Sequence, residues 1–192
     1  MKEKLKRFCP EVQFTSCEGE RAFVVDYSNE TNKERGVAFN CQKTDLQGLV
    51  IVNPHPEMAI TAAIFDDHCF KTEDEDRKDD THCEAVLFPE PYSENAWNLY
   101  VELKYNKQLG GVALKAYDQV VNTVRQLRQH EVIAEDKMVY GVIYFPVAAS
   151  RPPYVSSIYT PEMFRKLKRE QKLILTSSGS ITVFSDKKLK FV

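Results

Sequence analysis

Two apolar runs separated by a turn-rich connection constrain the fold of this chain more than any other feature of its sequence. The first run is CEAVLF from residue 83, the second is AWNLYVELKY from residue 96, and the connection PEPYSEN contains Pro, Ser and Asn residues. This pattern predicts an antiparallel β-hairpin. If the hairpin turns about Ser93, Glu84 lies directly opposite Glu102, because each is nine residues from that centre.

Alternation within the second run assigns its side chains to two faces of the predicted sheet. The residues of one face are apolar, namely Trp97, Leu99, Val101, Leu103 and Tyr105. The opposite face carries Glu102 and, one strand step further, Lys104. Directly opposed residues of a hairpin point to the same side of the sheet, so Glu84 is expected to join this pair.

A cluster of two carboxylates and one amine suits a divalent metal ion. Neighbouring carboxylates repel each other at neutral pH unless a cation or a shared proton relieves them. Mg²⁺ and Mn²⁺ accept a few carboxylate oxygens, keep several waters and, in phosphoryl-transfer sites, also hold phosphate oxygens. We therefore predict Glu84 and Glu102 as metal ligands, with Lys104 activating water or offsetting charge in the transition state.

The segments before this hairpin are predicted to form short strands. Strands are expected over residues 21–27, 36–40 and 48–53, which are rich in β-branched and aromatic residues. Residues 56–70 mix helix-favouring and strand-favouring residues, so both structures remain open. Residues 71–80, KTEDEDRKDD, lack any apolar side chain, which predicts a solvated loop.

The segments after the hairpin alternate between helix and strand. Residues 112–129 place apolar side chains at spacings of three and four, the strongest helix signal in the chain. The apolar run over residues 137–148 predicts a strand that is covered on both faces. A helix capped by Thr160 is expected over residues 160–171, and residues 172–184 predict a hairpin turning at SSGS.

The size and charge of the chain limit its organisation and its partners. With 192 residues and 43% hydrophobic content, the sequence predicts one domain spanning residues 1–192. A formal net charge of -2 gives no global attraction to polyanions, so nucleic acid must be bound by a local basic patch. The candidates for that patch are Lys166, Lys168, Arg169 and Lys187.

The cysteines and the N-terminal stretch bear on the cellular compartment. The chain has 5 cysteines, an odd number, without a CxxC pair, which predicts reduced thiols in a cytosolic protein. The basic N-terminal stretch is too poor in apolar residues for a signal peptide, and no apolar run reaches about 18 residues. The expectation is a cytoplasmic protein that makes no membrane contact.

The combined pattern resembles the PD-(D/E)XK nuclease superfamily. In that family an acid on one strand and an acid-x-Lys on the next strand hold Mg²⁺ for phosphodiester hydrolysis. The helix that follows carries a Gln, in some members with a nearby Tyr, facing the site. Here CEAVLF supplies Glu84, VELKY supplies Glu102 and Lys104, and KAYDQVV supplies Gln119 and Tyr117.

The resemblance implies both a fold and an activity. The fold would be α/β and restriction-endonuclease-like, a central mixed β-sheet flanked by helices, with a nuclease-like core over about residues 80–147. N-terminal strands and a helix over residues 20–70, and a C-terminal helix and β-hairpin over residues 160–192, would complete it. The activity would be Mg²⁺- or Mn²⁺-dependent cleavage of DNA, with RNA as the alternative substrate. Both a monomer and a homodimer are compatible with the sequence.

Several alternatives remain open in the sequence. Glu90 competes with Glu84 as the first acid, because it follows a proline as the family's first acid often does. An additional N-terminal acid of the kind found in many members would be Glu30, Glu34 or Glu57. The near-neutral charge and the Glu at the first acid position also fit a non-catalytic interaction or regulatory module on the same fold.

Overall fold

A computed structural model describes most of the chain. The described residues are 1–28, 36–65, 67–70, 82–105, 110–146 and 159–191. The predicted loop over residues 71–80 and the candidate acids Glu30 and Glu34 lie outside these ranges.

The described strands form two mixed sheets. The six-stranded sheet contains β1 (Gln13–Cys17), β5 (Ala59–Ile64), β6 (Ala85–Glu90), β7 (Leu99–Leu103), β8 (Val139–Tyr144) and β9 (Leu173–Thr176), in that spatial order. The five-stranded sheet contains β2 (Arg21–Asp26), β3 (Val37–Asn40), β4 (Leu49–Val52), β10 (Ser180–Ser185) and β11 (Lys188–Phe191). Its spatial order is β11, β10, β4, β2 and β3.

Three α-helices lie among the described residues. They are α1 (Lys2–Phe8), α2 (Gly110–Gln129) and α3 (Pro161–Glu170), and a short 3₁₀ helix covers Asp67–Phe70. The hydroxyl of Thr160 accepts a hydrogen bond from the Met163 backbone N–H at 3.2 Å, which confirms the predicted cap of α3. None of the described helices combines the length and the apolar character needed to cross a membrane.

Two hydrophobic cores separate the layers of the molecule. One core lies between the two sheets and includes Ile51 of β4 and Leu99 and Val101 of β7. The other lies on the opposite face of the six-stranded sheet and includes Tyr100 of β7 together with side chains of all three helices. The prediction of a mixed sheet flanked by helices is therefore right for one face only, because the second sheet covers the other face.

The six-stranded sheet changes from antiparallel to parallel pairing at β7. Strands β5, β6 and β7 form an antiparallel meander, and β8 and β9 then add in parallel. Parallel neighbours require crossover connections, and the helices α2 and α3 lie in the two connections concerned. The ambiguous stretch over residues 56–70 contains strand β5, followed by the 3₁₀ helix.

The predicted hairpin over residues 172–184 is wrong. Its two halves, β9 and β10, belong to different sheets, and the C-terminal hairpin is formed by β10 and β11 instead. The SSGS sequence does form a tight turn, in which the Ser178 hydroxyl bonds the Ser180 backbone. This turn passes the chain from one sheet to the other, where β10 pairs in parallel with β4.

The expectation of reduced thiols is also wrong for four of the cysteines. Cys9 is bonded to Cys69 and Cys17 to Cys41, with Cα–Cα distances of 5.2 and 5.3 Å. The partners are 60 and 24 residues apart, so only the folded chain brings them together. The Cys17–Cys41 bond connects the end of β1 to the segment after β3, and so joins the two sheets. Cys83 is a buried free thiol.

Gly141 of β8 lies where α2 packs on the sheet, and this contact gives the first prediction. A Cβ atom at Gly141 would lie 2.7 Å from Leu175 Cδ1 and 3.0 Å from Val120 Cγ1. We expect Gly141→Val to lower the unfolding free energy by about 1–3 kcal/mol, because it overfills this contact. Gly111→Ala is the control, since a Cβ at Gly111 meets nothing within 4 Å. Urea unfolding of both variants provides the measurement, and an unchanged Gly141→Val midpoint would contradict the packing.

Candidate active site

The register of the β6–β7 hairpin brings the predicted residues to one end of β7. Ala85 pairs with Val101, Val86 with Tyr100 and Leu87 with Leu99, as the sequence predicted. The ladder ends at the Ala85–Val101 pair, and Glu84 and Glu102 are the residues that follow it on the two strands. The predicted assignment of alternate β7 side chains to opposite faces of the sheet is confirmed as well, since Val101 and Tyr100 belong to different cores.

Glu102 and Lys104 form an ion pair at the end of β7, in which Glu102 is buried and Lys104 is partly buried. The Lys104 Nζ atom is in direct contact with Glu102 Oε1, and the exposed fractions of their side chains are 16% and 0%. The Lys104 backbone N–H donates to the Tyr144 carbonyl at 2.9 Å, which extends the pairing of β7 with β8. The pair thus lies at the carboxyl end of two parallel strands, the usual place for ligand sites in sheets of this kind.

The surroundings of Glu102 raise its pKa. Burial is the main cause and lifts the value from 4.5 to about 7, although the Lys104 ammonium lowers it. The backbone N–H of Glu84 is directed at the Glu102 carboxyl and also lowers the pKa, whereas the charge of Asp26 raises it. Glu102 therefore changes its charge close to neutral pH, which is a common property of residues in functional sites.

Asp26 is a member of this neighbourhood that sequence reasoning missed. It ends β2 in the other sheet, where its carboxylate accepts a hydrogen bond from the Ser28 backbone N–H at 2.8 Å. Its only sequence signal is an acid at the end of the apolar run RAFVVD. Nothing in the sequence indicated that β2 would pack near the end of β7.

Gln119 lies beside the site, but it contacts the backbone rather than the pair. Its Nε2 donates to the His82 carbonyl at 2.9 Å, two residues before Glu84. Tyr117, the second helix residue of the resemblance, stacks on Tyr159 with ring centroids 5.9 Å apart. The charge of Glu102 is one of the causes that raise the pKa of Tyr159, after burial and Asp118.

The competing acids lie elsewhere. Glu90 is at the opposite end of β6 from Glu84, where it binds Lys2 Nζ at 2.7 Å and accepts a hydrogen bond from the Thr61 hydroxyl at 2.6 Å. Glu57 is exposed, and its carboxylate lies 3.8 Å from His55 Nδ1. Neither acid shares a site with Glu102.

The carboxylate of Glu102 at this end of β7 has one property that suits a divalent cation. Neither carboxylate oxygen of Glu102 has a hydrogen bond of standard geometry, and Oε1 contacts Lys104 Nζ, so Oε2 has capacity for a further ligand. Within the described ranges, no group of three or more His, Cys, Asp or Glu side chains is arranged to hold a metal. A cation here would be bound by Glu102, Glu84 and water, a ligand set that suits Mg²⁺.

The predicted basic patch is divided between two places. Lys166, Lys168 and Arg169 are exposed on α3, and Lys166 lines a groove of about 270 Å³ against α2. Lys187 lines a different cavity of about 400 Å³, and Trp97 is another of its lining residues. Arg169 is paired with Glu170 at 3.0 Å. Lys166 and Arg169 are three residues apart and share one side of α3, Lys168 lies on the other side of Leu167, and Lys187 belongs to another surface.

Comparison of the chain with protein-family models, with curated proteins and with solved structures finds no match.

The raised pKa of Glu102 gives the second prediction. Because the folded state holds this proton more tightly than the unfolded state, the stability it contributes is complete below about pH 4.5 and is lost as the pH rises to about 7. The wild type loses this stability as the pH rises from about 4.5 to about 7, and Glu102→Gln does not. The unfolding free energy of Glu102→Gln, measured relative to that of the wild type, should therefore rise by about 3 kcal/mol over this range. Urea unfolding across the pH range measures this difference.

The control for this measurement is Glu94→Gln, which alters an exposed carboxylate. A Glu102→Gln curve that runs parallel to the wild-type curve would show that folding does not shift the pKa of Glu102.

Proposed function

We propose that the protein is a Mg²⁺- or Mn²⁺-dependent nuclease that hydrolyses phosphodiester bonds of DNA, with RNA as the alternative substrate. The observation that carries the proposal is the Glu102–Lys104 pair at the carboxyl end of β7, with the backbone N–H of Glu84 directed at the Glu102 carboxyl. A carboxylate that remains partly unsatisfied, beside an amine and a second acid, is suited to binding a metal and a phosphate together.

The order of the elements supports the proposal. The PD-(D/E)XK resemblance implies the order helix, three strands, helix and strand. The meander of β5, β6 and β7, followed by α2 and the parallel strand β8, matches this order from its first strand onward, whereas the element before β5 is the strand β4. On this basis we propose the restriction-endonuclease-like fold for the six-stranded sheet and its helices. The five-stranded sheet would then be an addition to the nuclease core.

The proposed reaction adds water across one phosphodiester bond. The water oxygen forms a new bond to phosphorus, the bond to the ester oxygen breaks, and the proton lost by water is balanced by the proton that the leaving oxygen gains. A bound Mg²⁺ would supply a water of lowered pKa and neutralise charge on the phosphate. Glu102 and Glu84 would hold it, and the Lys104 ammonium would stabilise the negative charge that develops on the phosphoryl oxygens.

Substrate contact is assigned to the exposed basic face of α3. Lys166 and Lys168 lie on this helix, whose Leu167 is turned into the core. The phosphate backbone would be bound there by charge, because the chain as a whole carries no positive excess. Lys187 is a separate candidate contact on the other surface.

One observation favours a second candidate function, a non-catalytic interaction module on the same fold. The side chain of Glu102 is 0% exposed, which is also what a structural ion pair would show. Removal of one partner from such a pair commonly costs about 3–5 kcal/mol, because the other charge is left buried. In this alternative Lys104 serves folding alone.

The third prediction separates the two functions. We expect Lys104→Ala to cut nucleic acid at least about a hundredfold more slowly than the wild type at saturating Mn²⁺, because a group that stabilises transition-state charge is lost. The substrates are linear, branched and single-stranded DNA, and RNA. Lys115→Ala, which removes an exposed lysine of α2, is the matched control and should cut normally.

Thermal unfolding of the same proteins accompanies the assay and establishes that each variant is folded. Failure of the wild type to cut any of these substrates, together with a much lower melting temperature of Lys104→Ala, would reject the nuclease and support the interaction module.

A further inference from the structure

Side chains of α2 hold the chain at two successive backbone positions, His82 and Cys83, immediately before Glu84. Gln119 Nε2 donates to the His82 carbonyl at 2.9 Å, and the Cys83 N–H donates to Thr123 Oγ1 at 2.8 Å. The Thr123 hydroxyl in turn donates to the Gln119 carbonyl at 2.8 Å. The next backbone group, the Glu84 N–H, is directed at the Glu102 carboxyl of β7 and not at α2.

These contacts occur where the sheet no longer determines the path of the chain. The first pair of the β6–β7 ladder is Ala85 with Val101, so residues 82–84 lie beyond it. Buried backbone groups need partners, and here side chains of α2 provide them in place of a neighbouring strand. Gln119 and Thr123 are four residues apart, so both side chains project from one face of the helix.

Cys83 and Thr123 are both fully buried, with exposed fractions of 0%. Water therefore cannot replace the hydroxyl of Thr123 as the acceptor for the Cys83 N–H. Loss of this hydroxyl would release the backbone immediately before Glu84 from the helix.

We propose that Thr123, acting with Gln119, is a positioning residue that fixes the Glu84 backbone beside Glu102 and thereby sets the geometry of the metal centre. This inference rests on the proposed function. It also changes the role expected for Gln119, which acts through the backbone of residue 82 and not on substrate. The simpler alternative is that Thr123 only satisfies a buried N–H group and supports folding.

Metal affinity distinguishes the two roles. We expect Thr123→Val, which keeps the shape but loses the hydroxyl, to weaken Mn²⁺ binding about tenfold or more, the usual effect of removing a group that orients metal ligands. Thr123→Ser keeps the hydroxyl and should bind Mn²⁺ like the wild type. The measurement is a Mn²⁺ titration followed by electron paramagnetic resonance.

Thr61→Val is the matched control. Thr61 is also a fully buried threonine with a hydrogen-bonded hydroxyl, but it contacts Glu90 at the other end of β6. This variant should lose stability and keep its Mn²⁺ affinity. Equal Mn²⁺ affinity of folded Thr123→Val and the wild type would overturn the proposal.

A second readout keeps the test independent of metal. Amide hydrogen exchange of Cys83 and Glu84 should be faster in Thr123→Val and unchanged in Thr123→Ser, while Val86 within β6 exchanges as before. If the wild type binds no Mn²⁺, the proposed metal centre fails, and exchange alone then decides the backbone role. Unchanged exchange of Cys83 and Glu84 in Thr123→Val would overturn that role too.

Discussion

The pairing of β6 with β7 is the constraint on which the site depends. Side chains alternate along a strand, so a shift of this register by one residue would turn Glu102 from the helical core to the core between the sheets. The pairing of Ala85 with Val101 prevents this, because it buries Val101 between the sheets and directs its neighbours toward α2. The same pairing brings the chain to the end of β7, just before Glu84. The ladder stops there, and side chains of α2 bond the backbone of the preceding residues.

The cost of burying Glu102 explains why this end of the sheet is chemically distinctive. A carboxylate without water is unfavourable, and the contact with Lys104 offsets only part of that cost, which is why the pKa of Glu102 rises to about 7. An interior designed only for stability would place apolar residues at these positions. Glu102 thus places an ionisable carboxyl in the interior near two other acids, Glu84 and Asp26, and this arrangement is the reason for proposing a ligand there.

Local patterns predicted much of this arrangement. The alternation of the second apolar run determined the two faces of β7, and the symmetric spacing about Ser93 gave the correct register. The spacing of apolar residues located α2, and Thr160 located the start of α3. In each case the signal lies within a short stretch of chain, where periodicity and capping chemistry act directly.

The features that sequence reasoning missed depend on contacts between distant segments. Residues 172–184 have hairpin-like composition, but the partner of β10 is β4, more than a hundred residues earlier. For the same reason the disulfide pairs, the second sheet and the approach of Asp26 to Glu102 had no local signal. Thr123 was overlooked because a threonine within an amphipathic helix gives no indication that a loop amide will bind it.

Calorimetric titration with Mn²⁺ in buffers of different ionisation enthalpy tests the central claim most directly, because it counts the protons released on binding. If a metal is bound by the Glu102 carboxylate, binding at pH 6 should release about one proton, and the number should fall toward zero by about pH 8.5. Glu102→Gln should release none. Absence of Mn²⁺ binding, or the same proton release from Glu102→Gln as from the wild type, would contradict the account.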